Sequence, residues 1–218
     1  MDFLMRHSSF DKYLQASEAI DYEDPKIQFA AQFLMDRMMR ELEEDPGNAM
    51  PDPEMQLARI TYEYVRDRIL HSWDIQNPIV TWRASDVLEK KHGLCYAKSH
   101  LLAALLRANG IPAGLCYQYL RLDKTEQTDL ILHGLNAAYF ESIGRWVRLD
   151  ARGNKTGISA EFSVDEEKPA FHVKPGLGET DIPIIFAAPD RAVLHTLRKY
   201  TNLPELMEHL PQKLFGDE

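Results

Sequence analysis

The stretch ASDVLEKKHGLCYAKSHLLAALLRANGIPAGLCYQYL (84–120) decides the reading of this 218-residue chain. The segment His92-Gly93-Leu94-Cys95 is a break. After it Ala97, Leu101, Leu102, Ala103, Ala104, Leu105 and Leu106 form a run that is apolar almost all round, the pattern of a buried helix. Asn109-Gly110 ends that helix with residues tolerant of a left-handed backbone, and Pro112 lies just beyond. A strand is expected over Gly114–Leu122. Cys95 therefore stands at the first turn of a buried helix. Unsatisfied amides and the positive end of the helix dipole favour a thiolate there, and the same amides can hold a developing oxyanion. Gly93 lets the backbone approach closely. Taken alone, Cys95 also reads as a small hydrophobe at the end of an apolar helix.

Working upstream, the first 70 residues read as helical. Asp24-Pro25 is an N-cap followed by a residue preset for the first turn, and Ile27, Ala30, Ala31, Leu34, Met38 and Leu42 follow at helical spacing. Pro46-Gly47 stops that run. Pro51 and Pro53 open a second helix, with Leu57, Ile60, Tyr64 and Ile69 on one face and Arg59, Glu63, Arg66 and Asp67 opposite. HSWDIQNPIVTWR (71–83) is irregular, and Ser85 is expected to cap a short helix.

Downstream the chain turns to strands: Leu130–Phe140 and Arg145–Ala151, with 123–129 a polar connector. Residues 151–181 read as loops with one strand near Phe162. Short helices are expected over Asp190–Leu197 and Leu203–Leu210. Helices first and hairpin strands later argue α+β with an antiparallel sheet.

A thiolate needs a base, and the base needs an orienting partner. If Glu141–Gly144 is a four-residue loop, Asp150 falls opposite Leu135, and His133 lies one diagonal away on the same face, about 7–8 Å at Cα. That register gathers Leu132, Ala138, Phe140, Val147 and Leu149 on the other face. In isolation His133 reads as a core histidine and Asp150 as a strand-end turn residue. The ordered set is more specific than any member.

The 84–120 stretch, LHGLNAAYF (132–140) and RWVRLDARGNK (145–155) together resemble the transglutaminase-like superfamily of papain-like cysteine enzymes. Its pattern is Gly-x-Cys at a helix start, an LLRAxGIPA segment closing that helix, a strand His and a strand-end Asp, matched here by Cys95, His133 and Asp150. The resemblance implies a papain-like α+β core: a helical N-terminal half, with the catalytic helix buried on an antiparallel sheet. It also implies a thiol nucleophile that attacks an amide or ester carbonyl. His and Asp serve as proton carrier and orienter, and the acyl group passes to water or to an amine. The upstream Trp that supplies an oxyanion hydrogen bond in animal transglutaminases looks like Trp73, within Trp73-Asp74. Two departures stand beside the site. Gly134-Leu135 follows the His where many members have Ala-Trp, and Ala151-Arg152 follows the Asp where many have Pro-Thr. Tyr96, Asn136 and Arg152 flank the site.

Composition sets the outer bounds. At 44% hydrophobic and 27% charged, the chain reads as one domain over 1–218: a helical region (1–70), a catalytic core (71–160) and a C-terminal extension (161–218). With 34 acidic against 25 basic groups, the net charge of −9 argues against nucleic-acid binding. No apolar run is long enough for a membrane span. MDFLMRHSSFDKY (1–13) lacks the pattern of a secretory signal, so a cytoplasmic location is expected. Two cysteines, Cys95 and Cys116, are too few for a disulfide framework. A zinc site built on His92 and Cys95 with Cys116 or His100 lacks the paired close spacings of structural zinc, and no acidic loop of the EF-hand type is present. The expectation is a cysteine-dependent hydrolase or acyltransferase without a cofactor, acting on a protein, peptide or small amide. The competing reading is a catalytically silent binding module that keeps the fold.

Overall fold

Asp24 accepts a hydrogen bond from the Lys26 amide at 2.8 Å and opens helix α1 (Pro25–Glu44); Asp52 does the same for Glu54 and opens α2 (Pro53–Arg68). The computed structural model describes residues 3–45, 47, 50, 52–122 and 128–215. Pro46, Pro51 and residues 123–127 of the polar connector, singled out above, lie outside the described residues.

Ahead of α1 the chain is not α-helical, contrary to the sequence reading. Strand β1 (Leu4–Met5) and a 3-10 turn (Phe10–Tyr13) occupy this segment. The pull is tertiary: Tyr13 is fully buried, its hydroxyl donates to the Ile185 carbonyl at 2.9 Å, and its ring meets the edge of Trp146. Strand β2 (Leu70–His71) follows α2. Helix α3 (Ala84–Lys90) begins one residue before Ser85, so Ser85 is not its cap. The Asp21 carboxylate takes that role from a distant segment, accepting from the Ser85 amide at 3.1 Å and the Ser85 hydroxyl at 2.5 Å.

Strand β3 (His92–Gly93) pairs in parallel with β2, with Leu70 opposite His92 and His71 opposite Gly93. Helix α4 (Cys95–Ala108) starts two residues later and is the centre of the core. Leu101, Leu102, Leu105 and Leu106 are wholly buried, each contributing roughly 1.5–3 kcal/mol relative to exposure. α1, α2 and α3 pack around α4 on one side and the sheet covers the other.

The sheet is antiparallel, in the order β6-β5-β4-β7, from β4 (Ala113–Arg121), β5 (Leu130–Phe140), β6 (Arg145–Leu149) and β7 (Thr180–Asp181). The hairpin register runs from Phe140 opposite Arg145 to Asn136 opposite Leu149. One step further along sets Leu135 against Asp150, the register expected from a four-residue loop. Leu132, Ala138, Phe140, Val147 and Leu149 are all buried in the main core. Beyond β6 there is no strand near Phe162. Its ring instead packs against Tyr62 and Phe140, which anchors the segment by aromatic contact rather than by a ladder. Strand β8 (Ile184–Ile185) pairs in parallel with β1, and helices α5 (Arg191–Lys199) and α6 (Leu203–Glu208) follow. The architecture is α+β, with a buried helix against an antiparallel sheet. Among the described residues no helix is long and apolar enough to cross a membrane.

Candidate active site

Cys95 occupies the first position of α4, behind Leu94, whose side chain makes no capping bond. Gly93 is tightly enclosed: a Cβ there would lie 3.1 Å from the Ala97 Cβ and 3.2 Å from the Thr81 hydroxyl oxygen. Lys98, one turn into the helix, is buried. Its ammonium donates to the Ile69 carbonyl at 2.5 Å and the Arg66 carbonyl at 3.2 Å, tying the start of α4 to the end of α2 and the entrance to β2. Burial lowers its pKa to about 7.

His133 reaches this helix start from β5 because its neighbour is glycine. A Cβ on Gly134 would sit 2.9 Å from Tyr96 Cδ1 and 3.2 Å from Tyr96 Cα. The Tyr96 ring thus packs on Gly134, where the chain departs from the Ala-Trp pattern, and its hydroxyl donates to the Leu132 carbonyl. Asn136 holds the same two elements together, its amide donating to the carbonyls of Ser99 (2.9 Å) and Gly114 (3.2 Å).

The His133 and Asp150 side chains meet. Nε2 of His133 donates to Oδ2 of Asp150 at 2.9 Å, and both side chains are almost wholly buried. The Cys95 sulfur lies near enough to the ring to act on it through charge. With Nε2 engaged by Asp150, the nitrogen left for the thiol is Nδ1. Burial alone would push the imidazolium pKa down, but the Asp150 charge and hydrogen bond, with the nearby Cys95 sulfur, outweigh it, raising the pKa to about 10.

Asp150 is fully coordinated. Besides His133 it accepts from the Ala170 amide on Oδ2 and the Arg152 amide on Oδ1, both at 3.0 Å, while the Tyr62 hydroxyl donates to its carbonyl at 3.0 Å. Burial opposes its ionisation, yet the His133 charge and these donors hold its pKa below the usual carboxylate value. A carboxylate with three such partners can orient an imidazole and support its charge.

Sequence reasoning missed the contribution of residues 170 and 171. Ala170 supplies an amide to Asp150, and the Phe171 ring meets His133 edge-on, with centroids 5.1 Å apart. The C-terminal extension thus closes over His133. No pattern in that Gly/Pro-punctuated segment signals it, because the contacts come from a backbone amide and a lone aromatic.

Cys95, His133, Tyr96, Arg152, Trp73 and His71 share the walls of one cleft of about 330 Å³, continued by Leu120, Ile131, Phe171, Met207 and Leu210. A roomier groove beside Glu41, Glu44, Arg59 and Asp165 is lined by neither cysteine nor histidine among the described residues. Trp73 stands on the turn after β2 and is 40% exposed. Its neighbour Asp74 is clamped by Arg152, which donates Nη1 to Oδ2 at 2.5 Å and Nη2 to Oδ1 at 2.9 Å, and by Lys155 at 2.5 Å. The turn is therefore pinned to the loop that follows Asp150.

The groups considered for zinc are dispersed. His92 Nδ1 bonds the Ser72 hydroxyl, His100 Nδ1 bonds the Trp82 carbonyl, and Cys116 is buried in a second cluster with Leu135 and Ala137. No group of three or more potential metal ligands occurs among the described residues.

Residues 45–151, which contain Cys95, His133 and Asp150, match the family model of the transglutaminase-like superfamily. The match covers just under half of the chain. No curated protein sequence matches it. Solved structures resembling it include a candidate cysteine protease from Cytophaga hutchinsonii (20% identity, TM-score 0.44, covering 67% of this chain and 43% of that one). Red sea bream transglutaminase is similar at 14% identity and TM-score 0.44, covering 61% of this chain and 27% of that one. A candidate protease from Parabacteroides distasonis is similar at 18% identity and TM-score 0.40, covering 83% of this chain and 30% of that one. The chain thus spans less than half the length of each.

Proposed function

We propose that this protein is a cysteine-dependent hydrolase or acyltransferase acting on amide or peptide bonds. The reading rests on one observation: an imidazole bonded to a buried carboxylate at 2.9 Å also meets a thiol at the N-terminus of a buried helix, inside a cleft. In this reading the Cys95 sulfur attacks the acyl carbon and the carbonyl electron pair moves to oxygen. The amides of the first turn of α4, with a second donor from the cleft wall, receive that charge. When the intermediate collapses, the C–N bond breaks and the His133 imidazolium delivers its proton to the leaving amine. A thioester remains. Water or an acceptor amine then gives a proton to His133 and attacks the thioester carbon, and the thiolate departs. Asp150 holds the ring in one tautomer and supports its positive charge throughout.

Alkylation tests this directly. Iodoacetamide should label Cys95 at mildly acidic pH faster than it labels a free thiol, and Cys95→Ala should abolish the signal. Cys116 provides an internal control, because burial pushes its thiol up to about 12. Equally slow labelling of both cysteines would instead identify a silent binding module.

A further inference from the structure

We infer that His71, rather than Trp73, supplies the second hydrogen bond to the acyl oxygen in this cleft. The inference rests on the relay proposed above and adds a residue that touches the reacting atoms.

His71 is anomalous in its surroundings. Its ring lines the cleft with Cys95 and His133, yet its Nδ1 is sealed from solvent without a hydrogen-bond partner among the described residues. A buried polar atom left in that condition costs about 1–3 kcal/mol, so each instance calls for an explanation. Here neither ring nitrogen is committed to another side chain among the described residues, and the ring can present a donor to a ligand.

Its placement is preorganised. His71 lies opposite Gly93 in the β2–β3 ladder, two residues before the nucleophile. The bonds on either side of it, Leu70 amide to Lys91 carbonyl at 2.9 Å and Ser72 amide to Gly93 carbonyl at 3.1 Å, tie its backbone to the strand leading into Cys95. Trp73 lies two residues on, in a turn outside the ladder, and is 40% exposed. A donor held rigid and away from water stabilises a developing oxyanion more than one that water solvates.

The charges around the ring suit the role. Burial first, and then the nearby Arg152 guanidinium, favour its neutral form; Asp74 pulls the other way, and Lys98 and His133 add smaller contributions against that pull. A neutral imidazole always carries one N–H, and such a ring can polarise a carbonyl without competing with His133 for the catalytic proton.

The test separates thiol activation from oxyanion stabilisation. Iodoacetamide alkylation of Cys95 needs the thiolate and forms no oxyanion. Hydrolysis of p-nitrophenyl acetate needs both, and its leaving group requires no proton. His71→Leu, with His71→Phe as a second apolar replacement, should lower kcat for p-nitrophenyl acetate by about 10²–10³-fold. KM and the Cys95 labelling rate should stay within about twofold, which also certifies the variant as folded. His71→Gln keeps an N–H and should recover much of the loss, while Trp73→Phe should cost less than about threefold. Undiminished turnover in the apolar variants with normal labelling would overturn this assignment alone, as would the large loss appearing in Trp73→Phe instead. No Cys95-dependent labelling in the parent protein would overturn the relay and the assignment together.

Discussion

Gly134 lies directly against Tyr96, so close that a methyl group would approach the Tyr96 ring to 2.9 Å and its backbone to 3.2–3.4 Å. This contact joins the residue after His133 to the residue after Cys95. Gly134→Ala should destabilise the protein by about 1–3 kcal/mol, the usual cost of overpacking. Because Tyr96 backbone atoms share the contact, relief requires α4 to shift away from His133. Urea denaturation would give the first effect and Cys95 alkylation the second. Unchanged values in both would show that the close approach has no consequence for the site.

Asp150→Asn should lower turnover by about 10³–10⁴-fold, through loss of the tautomer and of support for the imidazolium. The amide NH₂ also cannot accept from His133 or the Ala170 amide, both now partners of Oδ2. A stability loss of about 1–3 kcal/mol should accompany the kinetic effect. Steady-state kinetics on p-nitrophenyl acetate, together with denaturant melts, check the two separately. Near-parental turnover would remove Asp150 from the mechanism.

The pH dependence of stability follows from the same pair. His133 is raised from about 6.5 to about 10. Its contribution is therefore complete below pH about 6.5 and is lost as pH rises through about 10. Asp150 is lowered below 3.8, so its contribution is present above that value and is lost as pH falls through its folded-state value. Both contribute fully between about pH 4 and 6.5. The excess unfolding free energy of the parent over His133→Gln should shrink across about pH 5.5, 7.5 and 9.5; the comparison removes the opposite slope from Lys98, which burial lowers to about 7. The same slope in parent and variant would assign the pH dependence to other groups.

Asp74 neutralises a buried guanidinium, since Arg152 is only 6% exposed. Asp74→Asn leaves that charge uncompensated and should cost about 1–3 kcal/mol, discounted because Asp74 itself is partly exposed. Arg152→Lys should not substitute well, because the ion pair is bidentate. Both variants should loosen the turn carrying Trp73, raising its amide hydrogen exchange over residues 72–76 relative to α4. Exchange unchanged in both would show that the turn is held by other contacts.

The helix starts at Asp24-Pro25 and Pro53, the buried helix from Cys95 and the hairpin register were legible because each is set by nearest neighbours in the chain. A cap needs its acceptor within three residues, a buried helix shows in its own composition, and a four-residue loop determines which strand residues face each other. The meeting of His133 with Asp150 follows from that local arithmetic. The capping of Ser85 by Asp21, the loss of a strand at Phe162 and the non-helical start before α1 could not be read so. Each is decided by a partner far away in the chain.

By itself, then, the sequence determined which side chains were chemically able to act and the element on which each rides. Only the tertiary structure decided that residues 170 and 171 close over His133, that Asp74 is pinned to Arg152, and that His71 enters the cleft with a nitrogen unpaired. Periodicity and capping are short-range effects written in adjacent residues. Closure of a site depends on desolvation and on hydrogen bonds between segments that meet only after the core has packed.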